Sequence, residues 1–375
     1  MEEWSIAPRT KHIFMANFNG QLKQNEIFGT IYNMIISQMV FADNIAGVGA
    51  ELVDRAKVDG GLYGDTKLYY ATDALKSSPW GKDAEAANLL ALHRPADPAC
   101  QAITLDTFRQ IALTVDNYLT KRAFSTEGTY ASFNSVMLGW IGETKRIYDA
   151  TTYNAYIGTV ESEIGNQTRE IDVTTGVGNA TGEEKARLEG QIIAEDIANL
   201  MVDLKDIGRD YNDYGYLRSY RIDDLMFVWN SEVVNKIEKR DLPTIYHQAI
   251  VEKLGEHVLP ARYFGTVNTT EKAAGAGVRS LIEQDLTKAG GGTAHVFAGD
   301  LIPAGYTAPA NTSYTVDNSI AFKVIHKRSV PYMSAFEVGT SFFNAKSLTE
   351  NHYLTWGHNT LDYLKNYPVI TVRVV

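Results

Sequence analysis

Several groupings of residues have types and spacings that could do chemistry. Gly176-Val-Gly178-Asn-Ala-Thr-Gly182 lies between an expected strand and an expected helix, the setting in which backbone N–H groups cradle a dinucleotide's pyrophosphate. The spacing is wrong, because three residues separate the second and third glycines where that loop has two. Glu183-Glu184 would also repel a phosphate from the helix N-terminus that should attract it. An ordinary turn is the better reading. Asp203, Asp206, Asp210 and Asp213 step along one helical side, and DYNDYG at 210–215 has the sixth-position glycine of a calcium loop. Tyr214 and Arg221 occupy its fifth and twelfth positions, where oxygen ligands belong, so a solvated acidic face is expected. The histidines at 12, 93, 247, 257, 295, 326, 352 and 358 include no pair four apart and no Cys/His cluster that would suit zinc. Cys100, the single cysteine, has no evident partner base and reads as a buried structural thiol. With no nucleophile elbow, P-loop lysine or kinase signature, the expectation is no enzyme, with no catalytic residue, cofactor or metal site. A structural role is favoured.

Composition bounds the classes that remain. A chain of 375 residues predicts about two to three domains or subdomains. Hydrophobic residues at 45% and charged residues at 21% are globular values, and a net charge of -10 argues against a dedicated polyanion-binding surface. One cysteine permits no intrachain disulfide and fits a reducing compartment. MEEWSIAPRTKH places acids where a signal peptide has basic residues. Ile27 to Ala42 is interrupted by Asn33, Ser37 and Gln38 and is too short to span a membrane. A soluble, unexported chain is expected, in which the sequons at Asn166, Asn179, Asn268 and Asn311 carry no weight.

The longest helical pattern runs from Ala131 to Val160. Phe133, Val136, Met137, Trp140, Ile141, Thr144, Ile147 and Tyr148 form its apolar stripe, and Lys145, Arg146 and Asp149 are expected in solvent. Ahead of it, an arm and a helix carrying Ile27, Phe28, Ile31, Ile35 and Met39 lead into glycine-rich turns. From Thr66 to Tyr118, TKLYYATD and a run containing Ile103, Leu105, Ile111, Leu113 and Val115 read as strands able to pair as a hairpin. The insertion between them contains Pro79, Pro95 and Pro98, with room for one short helix at Asp83 to Leu92.

Beyond the long helix the texture alternates. Arg169 to Thr175 reads as a strand and Glu183 to Ile207 as a helix, with Thr181 and Glu184 as its capping box. Leu225 to Trp229 reads as a strand buried on both faces, and Asn230 caps a short helix through Lys239. From Gly290 come strands in HVFAGDLIP, SYTVDNSIAFKVIHK and VITVRVV, with a short helix at Ser347 to Leu364 before the last.

DYNDYGYLRSYRIDDLMFVWNSEVVNKIEKRDLPTIYH at 210–247 and the tail from HVFAGDLIPAG to YPVITV, together with this element order, resemble the major capsid proteins of tailed bacteriophages, the Hong Kong 97-type fold. The phrasing is similar to that of phages infecting Gram-positive bacteria. The resemblance implies an α+β capsid fold divided as N-terminal arm and helix (1–60), E-loop hairpin (61–120), spine helix of a peripheral domain (121–160), axial domain (161–295) and return strands (296–375). It implies a homo-oligomeric shell of hexamers and pentamers that encloses double-stranded DNA without reading its sequence. Portal partners are implied, scaffolding or decoration partners are open, and no membrane is involved. The virion is its location, after assembly in the bacterial cytoplasm. Without a long charged helical prefix, a separate scaffold or none is expected. Lys67, Tyr69 and Trp80 in the loop and Trp4 in the arm are the candidate subunit-interface residues. Lys67, Lys76 and Lys82 are positional candidates for the lysine–asparagine crosslink of some relatives, although a solvated lysine is the plainer reading. The 21 tyrosines suit extensive interfaces, and Gly139 and Gly142 could let the long helix bend. Two alternatives stand beside this: a subunit of an encapsulin-like compartment, and a nucleotide-dependent enzyme using Gly176 to Gly182.

Overall fold

A computed structural model describes residues 50–61, 64–77, 92, 94–116, 127–164, 167–238, 257–288 and 290–375. The expected arm and first helix, the Asp83 to Leu92 helix and the first half of the long helix's stripe (Phe133, Val136, Met137) fall outside the described residues or side chains.

The helices are α1 (Glu51–Ala56), α2 (Glu127–Thr159), α3 (Val173–Val177), α4 (Gly182–Lys205) and α5 (Ser231–Glu238). The strands before the acidic turn are β1 (Lys57–Asp59), β2 (Thr66–Ala71), β3 (Ala99–Asp116) and β4 (Thr168–Ile171). After it come β5 (Leu225–Asn230), β6 (His257–Leu259), β7 (Gly265–Val267), β8 (Lys272–Ala273), β9 (Val278–Ser280), β10 (Gln284–Thr287), β11 (Thr293–Val296), β12 (Thr307–Ala308) and β13 (Ser313–Val316). The chain ends with β14 (Ile320–His326), β15 (Tyr332–Asn344), β16 (Thr349–Asn359) and β17 (Val369–Val374).

A central sheet ordered β4-β17-β14-β5-β6 has both faces covered. Successive side chains of a strand point to opposite faces, so the run LMFVWN divides itself. Leu225, Phe227 and Trp229 pack with Ile193, Ile197, Leu200 and Leu204 of α4. Met226 and Val228 pack with Tyr153 and Ile157 of α2 and Leu52 and Val53 of α1. All six residues of β5 are buried, as an unbroken apolar run requires. Asn230 ends the strand and accepts the Glu232 N–H at 3.1 Å, the expected cap of α5.

The same sheet buries a lysine. Lys323 on β14 is fully enclosed, and its Nζ donates to Val160 O at 2.5 Å. That carbonyl lies just past the last residue of α2, where a cation complements the helix dipole. Burial lowers the ammonium's pKa to about 7, and Glu161 opposes the shift.

The second five-stranded sheet is ordered β1-β15-β16-β3-β2. Its long strand β3 has two partners in succession: residues 99–104 pair with β2 and most of the rest with β16. The expected hairpin is therefore real but short. Residues 265–316 add smaller ladders around a separate core of Val278, Leu286, Val296, Ile302 and Ala308.

Several expectations change. Ser347 to Leu364 is not a helix; most of it is β16, held between β15 and β3 over its length. Its β-branched and aromatic residues favour a pleated surface, and β15, unanticipated, supplies the second partner. The strand expected at Arg169 to Thr175 stops at Ile171, because Asp172 caps α3 by accepting the N–H groups of Thr174 and Thr175 at 2.9 and 3.0 Å. Thr181 precedes α4, but its side chain makes no capping bond. Lys145 and Asp149 are not solvated: they form a largely buried ion pair at 3.1 Å, while Trp140 of the stripe is 38% exposed. From Tyr148 onward α2 is enclosed on nearly every side, so periodicity no longer separates core from solvent. Cys100 is exposed, because its side chain lies on the outward face of the hairpin.

Candidate assembly surface

The hairpin shows how alternation assigns roles. In β2, Lys67 and Tyr69 turn inward and Thr66, Leu68 and Tyr70 turn outward. Tyr69 packs beside Ile103, Leu105 and Leu364, and burial raises its hydroxyl pKa. Lys67 Nζ donates to the backbone carbonyl of Asp59. Leu68 and Tyr70 are 52% and 65% exposed. Across the ladder stand Ala102 and Cys100, so the outward face has apolar side chains and no charge. Lys76 is exposed; Trp4, Trp80 and Lys82 lie outside the described residues. The sequence-chosen pair Lys67 and Tyr69 is thus on the packed face. Leu68 and Tyr70 hold the exposed positions beside them, as strict period-two alternation requires.

The end of β2 is latched to the turn that follows α4. Asp73 Oδ1 accepts the Leu217 N–H and its Oδ2 an Arg209 guanidinium N–H, both at 2.9 Å. Arg218 donates to Thr72 O at 2.6 Å. The Leu217 N–H first, then Arg209 and the Ala74 N–H, lower the Asp73 carboxyl to about 2. The turn itself is built by Asn212, which donates to Tyr216 O at 2.7 Å and accepts its N–H at 2.8 Å, with Gly215 at φ 63. Asp213 accepts from Ser162 and Gln167, both at 2.6 Å, and from the Tyr363 hydroxyl. The expected solvated acidic face is therefore partly a bonding hub, and Asp203 pairs with Arg169 at 3.2 Å. Among the described residues no group of three or more His, Cys, Asp or Glu could hold a metal. Tyr69, Tyr70, Tyr214 and Tyr367 line a shallow cleft between hairpin and turn.

The ribbon formed by β3, β16 and the far half of β15 has unequal faces. Trp356 and Arg109 share a row against α2: Tyr148 meets Trp356 edge-on at 5.6 Å and Arg109 donates to the Tyr148 hydroxyl at 3.3 Å. The Tyr148 hydroxyl bonds His358 Nε2 at 2.7 Å, while His358 Nδ1 lies 2.8 Å from Asn359 O. Since that carbonyl only accepts, Nδ1 carries the proton and Tyr148 donates to Nε2. Burial lowers the pKa of this imidazole. The opposite face carries Val338, Thr340 and Phe342 against Thr355, Tyr353 and Asn351, and Phe342 is 64% exposed.

The glycine-rich segment forms no phosphate loop. Gly176 lies inside α3, where an added Cβ would stand 2.4 Å from Ile192 Cδ1, and the Asp172 carboxylate already occupies the helix N-terminus. The end of the Ile192 side chain thus packs directly against that glycine.

A family model described as Phi29-like phage major capsid protein matches residues 7–371. No curated protein matches the chain. Among solved structures, the chain is similar to one in the capsid structure of Staphylococcus phage Andhra, with TM-score 0.55 and 11% identity over 86% of this chain and 83% of that one. It is also similar to a chain in the structure of the head fiber and inner core protein gp22 of native bacteriophage P68, with TM-score 0.57 and 11% identity over 84% and 83%. At that identity the likeness concerns the fold.

Proposed function

Because the chain belongs to the Phi29-like phage major capsid protein family, matched over residues 7–371, we propose that its copies close into an icosahedral shell of hexamers and pentamers around double-stranded DNA. Its role is structural and its place is the virion. The family match is the observation that carries this reading. We assign residues 61–120 to the E-loop, 121–160 to the spine of the peripheral domain, 161–295 to the axial domain and 296–375 to the return strands. The outward hairpin face of Leu68 and Tyr70 is our choice for a contact with a neighbouring copy, together with Trp80 and Trp4. Lys67 and Tyr69 act from beneath that face by fixing its orientation.

The chain's net charge of -10 supports containment of DNA without grip, since a shell that bound phosphates strongly would hinder packaging and release. No catalysis is assigned. Portal and scaffolding proteins are the further partners, and assembly takes place in the cytoplasm of the host, for which we favour a Gram-positive bacterium. Gly139 and Gly142 sit within continuous helix, and a Cβ at either would meet nothing within 4 Å. Packing does not require these glycines, which supports a role in bending. Electron microscopy of the purified protein tests the central claim: closed shells or capsomers are expected, and a stable monomer under all assembly conditions would overturn it.

A further inference from the structure

We propose that the free edge of β15, Val338 to Asn344, receives an extended strand from a second copy of this chain. The inference rests on the shell reading above. On that side of the sheet β1 covers only Tyr332 to Ser334, and among the described residues no strand pairs with the edge from Glu337 onward. On the other side Val338 to Asn344 pairs without interruption with β16. The segment VGTSFFN thus offers an edge about 23 Å long whose outward N–H and C=O groups have no ladder partner among the described residues.

Edges of soluble sheets are normally blunted by charge, proline, bulges or brevity. The other described edges of the two large sheets follow that rule. β1 and β6 are three residues each, β4 carries Arg169 and Glu170, β2 carries Lys67, and β3 beyond the reach of β2 carries Asp106, Arg109 and Asp116. Val338 to Asn344 has no charge, proline or bulge, and it exposes Val338, Phe342 and Phe343 by 43%, 64% and 46%. This lack of protection fits an edge that is covered in the working state.

Charge selects the occupant. Copies carrying -10 each repel one another, so close contact between copies falls where a segment is locally neutral. This edge is the longest uncharged one described. In a shell made of this chain, the partner present beside every copy is another copy.

Two measurements on the full chain test the inference. Hydrogen exchange read by mass spectrometry should show the amides of 338–344 slowed at least about tenfold in shells relative to free subunits, because strand addition bonds the backbone itself. Replacing Phe342 with p-benzoylphenylalanine should, on irradiation of shells, give an adduct of twice the chain mass. Shells whose 338–344 amides exchange as fast as in free subunits would overturn the strand addition alone. Protection already present in free subunits would do the same, as would an adduct only to a different virion protein. Wild-type chains that never form shells would remove the function reading and this inference together.

Discussion

The two five-stranded sheets use similar apolar and aromatic residues and stand in opposite situations. In the central sheet β5 is buried along its whole length, and its alternate residues feed two separate cores. In the outer sheet β2 and the far half of β15 keep one face or one edge open, with Tyr70 and Phe342 mostly in solvent. The difference separates the surface that stabilises the subunit from the surface we propose for assembly. A strand covered on both faces stabilises the subunit alone, whereas a strand covered on one side retains apolar surface that a further copy can bury.

The largest effect should come from truncating the doubly covered strand. Trp229→Ala removes a side chain that is 1% exposed and packs on Phe322 at 4.3 Å; a loss of about 3–5 kcal/mol is expected in denaturant unfolding. A loss below about 1 kcal/mol would break the contrast. Tyr70→Ser with Leu68→Ser should change subunit stability by only about 0.5 kcal/mol or less at each site while lowering shell yield roughly tenfold, a change of about 1.4 kcal/mol in assembly. Equal damage to folding and assembly would erase the distinction between the sheets.

Lys323 sharpens the comparison through pH. Its pKa is about 7 in the fold and near the ordinary lysine value of 10.5 when unfolded, so between those values the unfolded chain binds more protons. Stability should therefore rise with pH from about 7 to 10.5 and lose that dependence below 7. Lys323→Met should flatten the slope, read from unfolding midpoints across the range; an unchanged slope would show that another group carries it. The smallest effect is expected at the latch. Asp73→Ala leaves both cores intact, so the melting temperature should hold while trypsin cuts after exposed Lys76 several-fold faster. Unaltered cleavage would show that Arg218 and Thr72 hold the hairpin end without the carboxylate.

Much of the central sheet was readable in advance because its signals are local. The unbroken run Leu225 to Trp229, the cap at Asn230 and the stripe of α4 each declare themselves within a few residues. The outer sheet was less legible. The β16 segment NHYLTWGHN took its form from β3 and β15, which lie more than 200 residues before it and just ahead of it. The hairpin was hard to read for a different reason. Residue type pointed to Lys67 and Tyr69, but a strand's pleat decides which neighbour faces out, and that choice placed Leu68 and Tyr70 at the surface. Asp149, expected in water, is instead paired with Lys145 and bonded by the Tyr332 hydroxyl at 2.7 Å.

By itself the sequence determined the α+β class, the long helix, the doubly buried strand and the resemblance to phage shell subunits, since each is written in local spacing or contiguous wording. Only the tertiary structure decided the second partner of β3, the enclosure of Lys323 and which edge of which sheet stays open. Those features depend on which distant segments meet, and burial of a backbone edge or a charge is set by what covers it.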